Sequence, residues 1–130
     1  PKILQMDIEG SEYDVLLAEN AQTFESFDIL IIEFHKVMRI RRRAELQAMN
    51  AMFDKLLDGF VIAHMHPNNC CGSKMVKGVE IPKALELTFL KKSLLQDGDV
   101  LPTASLPHPL DRKNVEKNDD LLMHEAWWKA

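Results

Sequence analysis

Apolar Ile3, Leu4 and Met6 open the chain, the polar turn "DIEGSE" follows, and then Tyr13, Leu16 and Leu17 fall at helical spacing. This pattern predicts a short strand, a tight turn at Gly10 and a helix, with Ser11 and Asp14 in capping-box positions. Ile29 to Ile32 is a continuous apolar run rich in β-branched residues, as expected of a strand covered on both faces, and it ends in "EFH", Glu33 to His35. From Arg42 to Asp58, Leu46, Met49, Phe53, Leu56 and Leu57 recur at three- and four-residue steps, which predicts a helix stopped at Gly59. Phe60 to His66 reads as a third strand, broken by Pro67, Asn68 and Asn69. A last strand runs from Leu85 to Leu90, with Leu85, Leu87 and Phe89 on one side and Glu86, Thr88 and Leu90 on the other. Residues 97–130 turn to Pro, His and Asp and read as an extended arm whose final "LLMHEAWWKA" forms a short helix, leaving residues 1–96 as the domain.

Strands alternating with helices predict an α/β fold with a mostly parallel sheet. In such sheets ligands sit beyond the carboxyl ends of the strands. Asp7 and Glu9, then Glu33 and His35, then His64, His66, Asn68 and Asn69 fall at three such ends, so one rim is expected to carry the polar chemistry. Asp7 and Glu33 read as site residues, because an unpaired carboxylate buried at the end of an apolar strand is costly. Glu12 reads as a first-turn residue favoured by the helix dipole, and Asp14 as the capping partner of Ser11. His66, next to the turn, is a better site candidate than His64, and Asn68 and Asn69 also suit a plain turn. Arg41, Arg42 and Arg43 read as a solvated face, or as neighbours of an anionic ligand, since a helix start is the unfavourable end for cations.

A hydrophobic share of 46% and a charged share of 28% are those of an ordinary soluble globular chain. No apolar run approaches the roughly 20 residues that span a bilayer and no leader is visible, so no membrane partner is expected. The chain begins on a strand without a methionine, so its true start is expected upstream. A formal charge of −4 gives no expectation of a nucleic-acid partner. Cys70 and Cys71 are adjacent, and an ordinary disulfide between neighbours strains the peptide, so a reducing, cytoplasmic location is expected. A zinc module would have to use His64, His66, Cys70 and Cys71, at closer spacing than zinc sites usually show.

Taken in order, "KILQMDIEGSEYDVL", "ILIIEFH", "GFVIAHMHPNN" and "IPKALELTFLKK" resemble the carboxyl-terminal half of FkbM-type methyltransferases over residues 2–92, and "LPHPLDRKN" is similar to the tail of many bacterial members. The D-x-E-G-x-E element is the most specific piece. The resemblance implies S-adenosylmethionine-dependent methylation of a hydroxyl on a carbohydrate or other polar small molecule. It implies a partial Rossmann-like class I methyltransferase sheet, mostly parallel, with the fourth to seventh strands present, the last antiparallel, and the first half lacking. The glycine-rich turn and ribose-binding acid of that first half are absent from this sequence, so the chain by itself is not expected to bind the cofactor in the usual way. By position, Asp7 would lie between methyl donor and acceptor, in the cofactor site, with Glu9 and Glu12 in the same motif. Asp7 or His35 would act as base, and Glu9, Glu33, His66, Asn68 and Asn69 would orient the acceptor. A divalent metal on Asp7, Glu33 and His66 is a variant of this reading. The alternative is an inactive half-domain that folds by association, as a homodimer or by strand or tail exchange. The Ile3 to Met6 strand would then lack a neighbour, and Trp127 and Trp128 would anchor a covering tail.

Overall fold

The computed structural model describes residues 1–99 and 106–128; residues 100–105 and 129–130, parts of the expected arm and terminal helix, lie outside the described residues. The strands are β1 (Ile3–Met6), β2 (Ile29–His35), β3 (Phe60–Pro67), β4 (Ser73–Val76), β5 (Val79–Pro82) and β6 (Ala84–Lys91). The helices are α1 (Glu12–Ala18), α2 (Ala21–Glu25) and α3 (Arg43–Gly59). A four-stranded sheet has the order β1-β2-β6-β3, and β4 and β5 form a separate hairpin. β1 and β2 are parallel, whereas β6 runs antiparallel to both of its neighbours.

One face of the sheet is the core. Leu30, Ile32 and Phe34 of β2 stand beside Phe89, Leu87 and Leu85 of β6, all buried, and Tyr13, Leu16, Met49, Met52 and Leu56 of the helices close over them. Each such side chain contributes about 1.5–3 kcal/mol by leaving water, so this face holds the unit together. The helical stripe of α3 is turned slightly from the expected one. Met52 is fully buried and Leu46 is 42% exposed. Lysines from other elements cap the helix ends: Lys55 Nζ donates to the carbonyls of Leu16, Leu17 and Glu19, and Lys92 Nζ to those of Leu57 and Asp58.

The β4–β5 hairpin is an element the periodicity did not predict. Its two-residue loop, Lys77-Gly78, takes positive φ at both positions (48° and 84°), the geometry that matches strand twist. The strands are only four residues each, too short for an alternation to stand out. Cys70 and Cys71 are also a correction. They form a vicinal disulfide with Cα atoms 3.8 Å apart, in a turn that Asn68 tightens by accepting the Cys70 N–H at 2.8 Å.

The arm lies back on the sheet. Buried Asn69 accepts the Val115 N–H (2.8 Å) through its side chain, which donates to the carbonyls of Val115 and Asn118; Asn118 returns a bond to the Asn69 carbonyl. His64 Nε2 lies 2.9 Å from Asp111. Trp127 donates to the Glu80 carbonyl on β5, at a single 3-10 turn, Glu125–Trp127. The tail therefore anchors on β5 and the core, and among the described residues the outer side of β1 has no strand partner. Replacing Asn69 with Ala would leave part-buried backbone groups of the arm without their protein partner, at about 1 kcal/mol or more. Limited proteolysis is expected to cut Asn69→Ala between residues 106 and 128 well before the wild type; equal cleavage rates would show that the clamp does not hold the arm.

Candidate active site at the ends of β1 and β2

Beyond Met6, the last paired residue of β1, the chain must turn sharply to start α1. Glu9 (φ 58°) and Gly10 (φ 105°) make that turn in left-handed backbone. The turn directs the N–H groups of Ile8 and Gly10 at one oxygen of Glu12, at 3.2 and 3.0 Å. A side chain at position 10 would be strained by its φ and would place its Cβ 2.7 Å from Lys36 Nζ, so the glycine lets the lysine lie directly on the turn. The capping box expected of Ser11 and Asp14 does not form. Ser11 makes no side-chain cap bond and Asp14 is exposed, because the Glu12 carboxylate takes the loop amides instead.

Glu12 stands in the first turn of α1, as the sequence predicts. What the sequence does not predict is that it is fully buried and that its Oε1 also lies 2.8 Å from His35 Nδ1. Burial by itself would raise the Glu12 pKa; the bonds from Gly10, His35 and Ile8 outweigh it and hold the carboxyl below its ordinary value. Burial by itself would lower the pKa of His35; the hydrogen bond and charge of Glu12, with Glu33 and Glu9, outweigh it and raise the ring above its ordinary value. With Nδ1 donating to Glu12, the other nitrogen is the one presented outward. His35 Nε2 stands 3.7 Å from Asp7 Oδ1 and 3.7 Å from Glu9 Oε2, both on exposed carboxylates, beyond direct hydrogen-bonding distance.

The expected rim is thus divided. Asp7, Glu9 and His35 come together around Glu12. Glu33 accepts from Asn68 Nδ2 at 2.6 Å, which ties the end of β3 to β2 across β6. His66 faces Glu86 in the β3–β6 ladder, while Asn69 and His64 hold the arm. Insertion of antiparallel β6 between β2 and β3 causes this separation. The donor atoms that gather within 4.8 Å belong to Asp7, Glu12 and His35, an oxygen-rich trio of the kind that suits a hard divalent cation. Neither Asp7, Glu33 and His66 nor the His64, His66, Cys70 and Cys71 set forms such a group among the described residues, and both cysteine sulfurs are engaged in their disulfide.

Around the cluster opens a groove of about 1150 Å³, bounded by the Glu9-Gly10-Ser11 turn, by His35 to Arg42, and by Lys74 and Lys83. No helix of the described residues is long and apolar enough to cross a membrane. No curated protein and no solved structure matches the chain. The family model of the methyltransferase FkbM domain matches residues 1–62, ending within β3, so the motifs of β6 and the tail lie beyond it. The matched stretch contains Asp7, Glu9, Glu12 and His35, so the part of the chain that is similar to the methyltransferase FkbM domain is the part that holds the cluster.

Proposed function

We propose that the chain supplies the acceptor side of an S-adenosylmethionine-dependent O-methyltransferase site, with His35 receiving the proton of the acceptor hydroxyl. The observation that carries this is the bond between buried Glu12 and part-buried His35, which fixes the ring and leaves Nε2 turned to the exposed carboxylates and the groove. Such a cofactor supplies an activated methyl group on a sulfonium. The residues present fit that end of it, since Asp7 and Glu9 place negative charge where a cation would rest. They do not fit its adenosine end. The one glycine of the strand-to-helix turn is already covered by Lys36. In this reading the four strands correspond to the fourth, fifth, seventh and sixth of a class I methyltransferase sheet, in the spatial order β1-β2-β6-β3.

The chemistry asks the protein for little beyond position and proton removal. Asp7, one residue past the β1 ladder, is suited to hold the donor side, and His35 the acceptor oxygen. Glu33, held by Asn68, is suited to bond a second hydroxyl of a carbohydrate acceptor.

Among the described residues the outer side of β1 has no strand partner and Ile3 is 50% exposed, which favours a second element of the reading. A further strand, from a second copy or another segment, joins there and completes the cofactor site. The test is methyl transfer from labelled S-adenosylmethionine to a panel of sugars and polyols over a range of chain concentrations, with mass followed by light scattering. The expected result is a rate per chain that rises as the chains associate. If the folded chain transfers nothing at any concentration, the catalytic reading fails; a clean monomer with a constant rate removes the association instead.

A further inference from the structure

The groove beside His35 is cationic in a chain that is acidic overall. It is lined by six lysines and arginines against three carboxylates, although the chain carries a formal charge of −4. Two of those cations are neutralised: Arg39 bonds Glu45 at 2.7 Å, and Arg42 lies 3.9 Å from the same carboxylate. The other four, Lys36, Arg41, Lys74 and Lys83, have no ion pair or hydrogen bond from their side chains among the described residues. They come from three separate parts of the fold, the turn after β2, the β4 strand and the start of β6, so their convergence is a product of the tertiary structure.

Lys36 is placed by an unusual backbone. At φ 53° and ψ 35° it is one of three residues other than glycine with positive φ among the described residues, and Glu9, across the same groove, is another. Left-handed backbone in residues with a Cβ is uncommon and concentrates where a side chain must be aimed. In continued strand geometry Lys36 would point to the opposite face from His35. The left-handed turn instead brings its ammonium over Gly10, at the mouth of the His35 cluster.

We infer that the acceptor carries an oxyanion group, a phosphate, sulfate or carboxylate, bound by Lys36, Arg41, Lys74 and Lys83 while its hydroxyl lies at His35. Like charges gathered in a concave site raise the local concentration of a ligand of opposite sign. The division of charge also fits the two ligands: the carboxylates of Asp7 and Glu9 face a cationic donor, and the opposite wall faces an anionic acceptor. This inference rests on the proposed transferase reading for the role of the groove, but its binding test does not require turnover.

The experiment is a heteronuclear NMR titration of the chain, at low ionic strength, with glucose 6-phosphate, glucuronate and glucose. Glucose 6-phosphate is expected to shift the signals of Lys36, Lys74 and Lys83 and to bind at least tenfold more tightly than glucose. Glucuronate binding would extend the class to carboxylates, and its failure to bind would narrow the class to phosphate-like groups. The double variant Lys74→Ala/Lys83→Ala, at exposed positions, is expected to keep its fold and lose at least tenfold in affinity for glucose 6-phosphate. Equal affinity for glucose and glucose 6-phosphate, or affinity unchanged in the double variant and in its Glu counterpart, overturns the inference. Phosphate-sugar binding without methyl transfer to any acceptor sinks the proposed reaction and leaves the anion site. Transfer to neutral sugars as fast as to phosphorylated ones sinks the anion site and leaves the reaction.

Discussion

Replacing Glu12 with Ala is expected to cost about 3 kcal/mol, because removing this buried carboxylate strips two loop amides and the part-buried His35 of the acceptor they share. The Ile8 and Gly10 amides and the His35 ring would all lose the oxygen they share. Against a total stability of about 5–15 kcal/mol for a domain, this is the largest single-site loss expected outside the hydrophobic core. Glu12→Gln keeps the shape and removes the charge, and so reports the electrostatic part by itself. The pH dependence has a definite sign. Glu12 is held below its ordinary value of 4.5, so its contribution is complete above that pH and is lost as pH falls through the lower folded value. His35 is held above its ordinary value of 6.5, so its contribution is complete below that pH and is lost as pH rises through the folded value. The stability gap between wild type and Glu12→Gln should therefore be widest between pH 4.5 and 6.5 and narrow on both sides. Urea unfolding followed by circular dichroism across this range measures it. A gap that is flat with pH would show that the pair contributes no charge interaction.

His35→Gln is expected to lower methyl transfer by about 10²–10⁴-fold, the range associated with a positioned proton acceptor, while leaving the fold intact. A base must be unprotonated to act. The wild-type rate should climb with pH through the folded pKa of His35, which lies above 6.5, and this step should vanish in the variant. Glu12→Gln should lower the pH of that step, since the carboxylate that raises it is gone. If His35→Gln keeps both the rate and the wild-type pH step, His35 is not the proton acceptor. Exposed Asp7 would then be the group to test next.

The strands were legible because apolar runs of this composition have few other uses. β2, β3 and β6 were all located from Ile29 to Ile32, Phe60 to His66 and Leu85 to Leu90, and the buried side of β6 was read correctly from its alternation. α3 was legible from its three- and four-residue steps, although its stripe was turned toward Met52. The first-turn place of Glu12 was legible, but its burial against His35 was not, because the helix dipole accounts for an acid there without any partner. The one available signal was its place two residues after a glycine that ends a strand turn, an arrangement in which loop amides converge. The hairpin loop Lys77-Gly78 carried a weaker signal of the same kind, a glycine in a two-residue connection.

By itself, the sequence determined that an α/β unit forms, where its main strands lie, and that its first half resembles FkbM-type methyltransferases, a likeness the family model also finds over residues 1–62. These are local properties, fixed by periodicity and by spacing within one element. Only the tertiary structure decided that β6 inserts between β2 and β3, and that His64 and Asn69 secure the arm while Asp7, Glu9 and His35 gather around Glu12. The physical reason is that Glu12 and His35 are 23 residues apart. Whether an acid is solvated or buried depends on which partner the packing of distant strands brings within 2.8 Å of it.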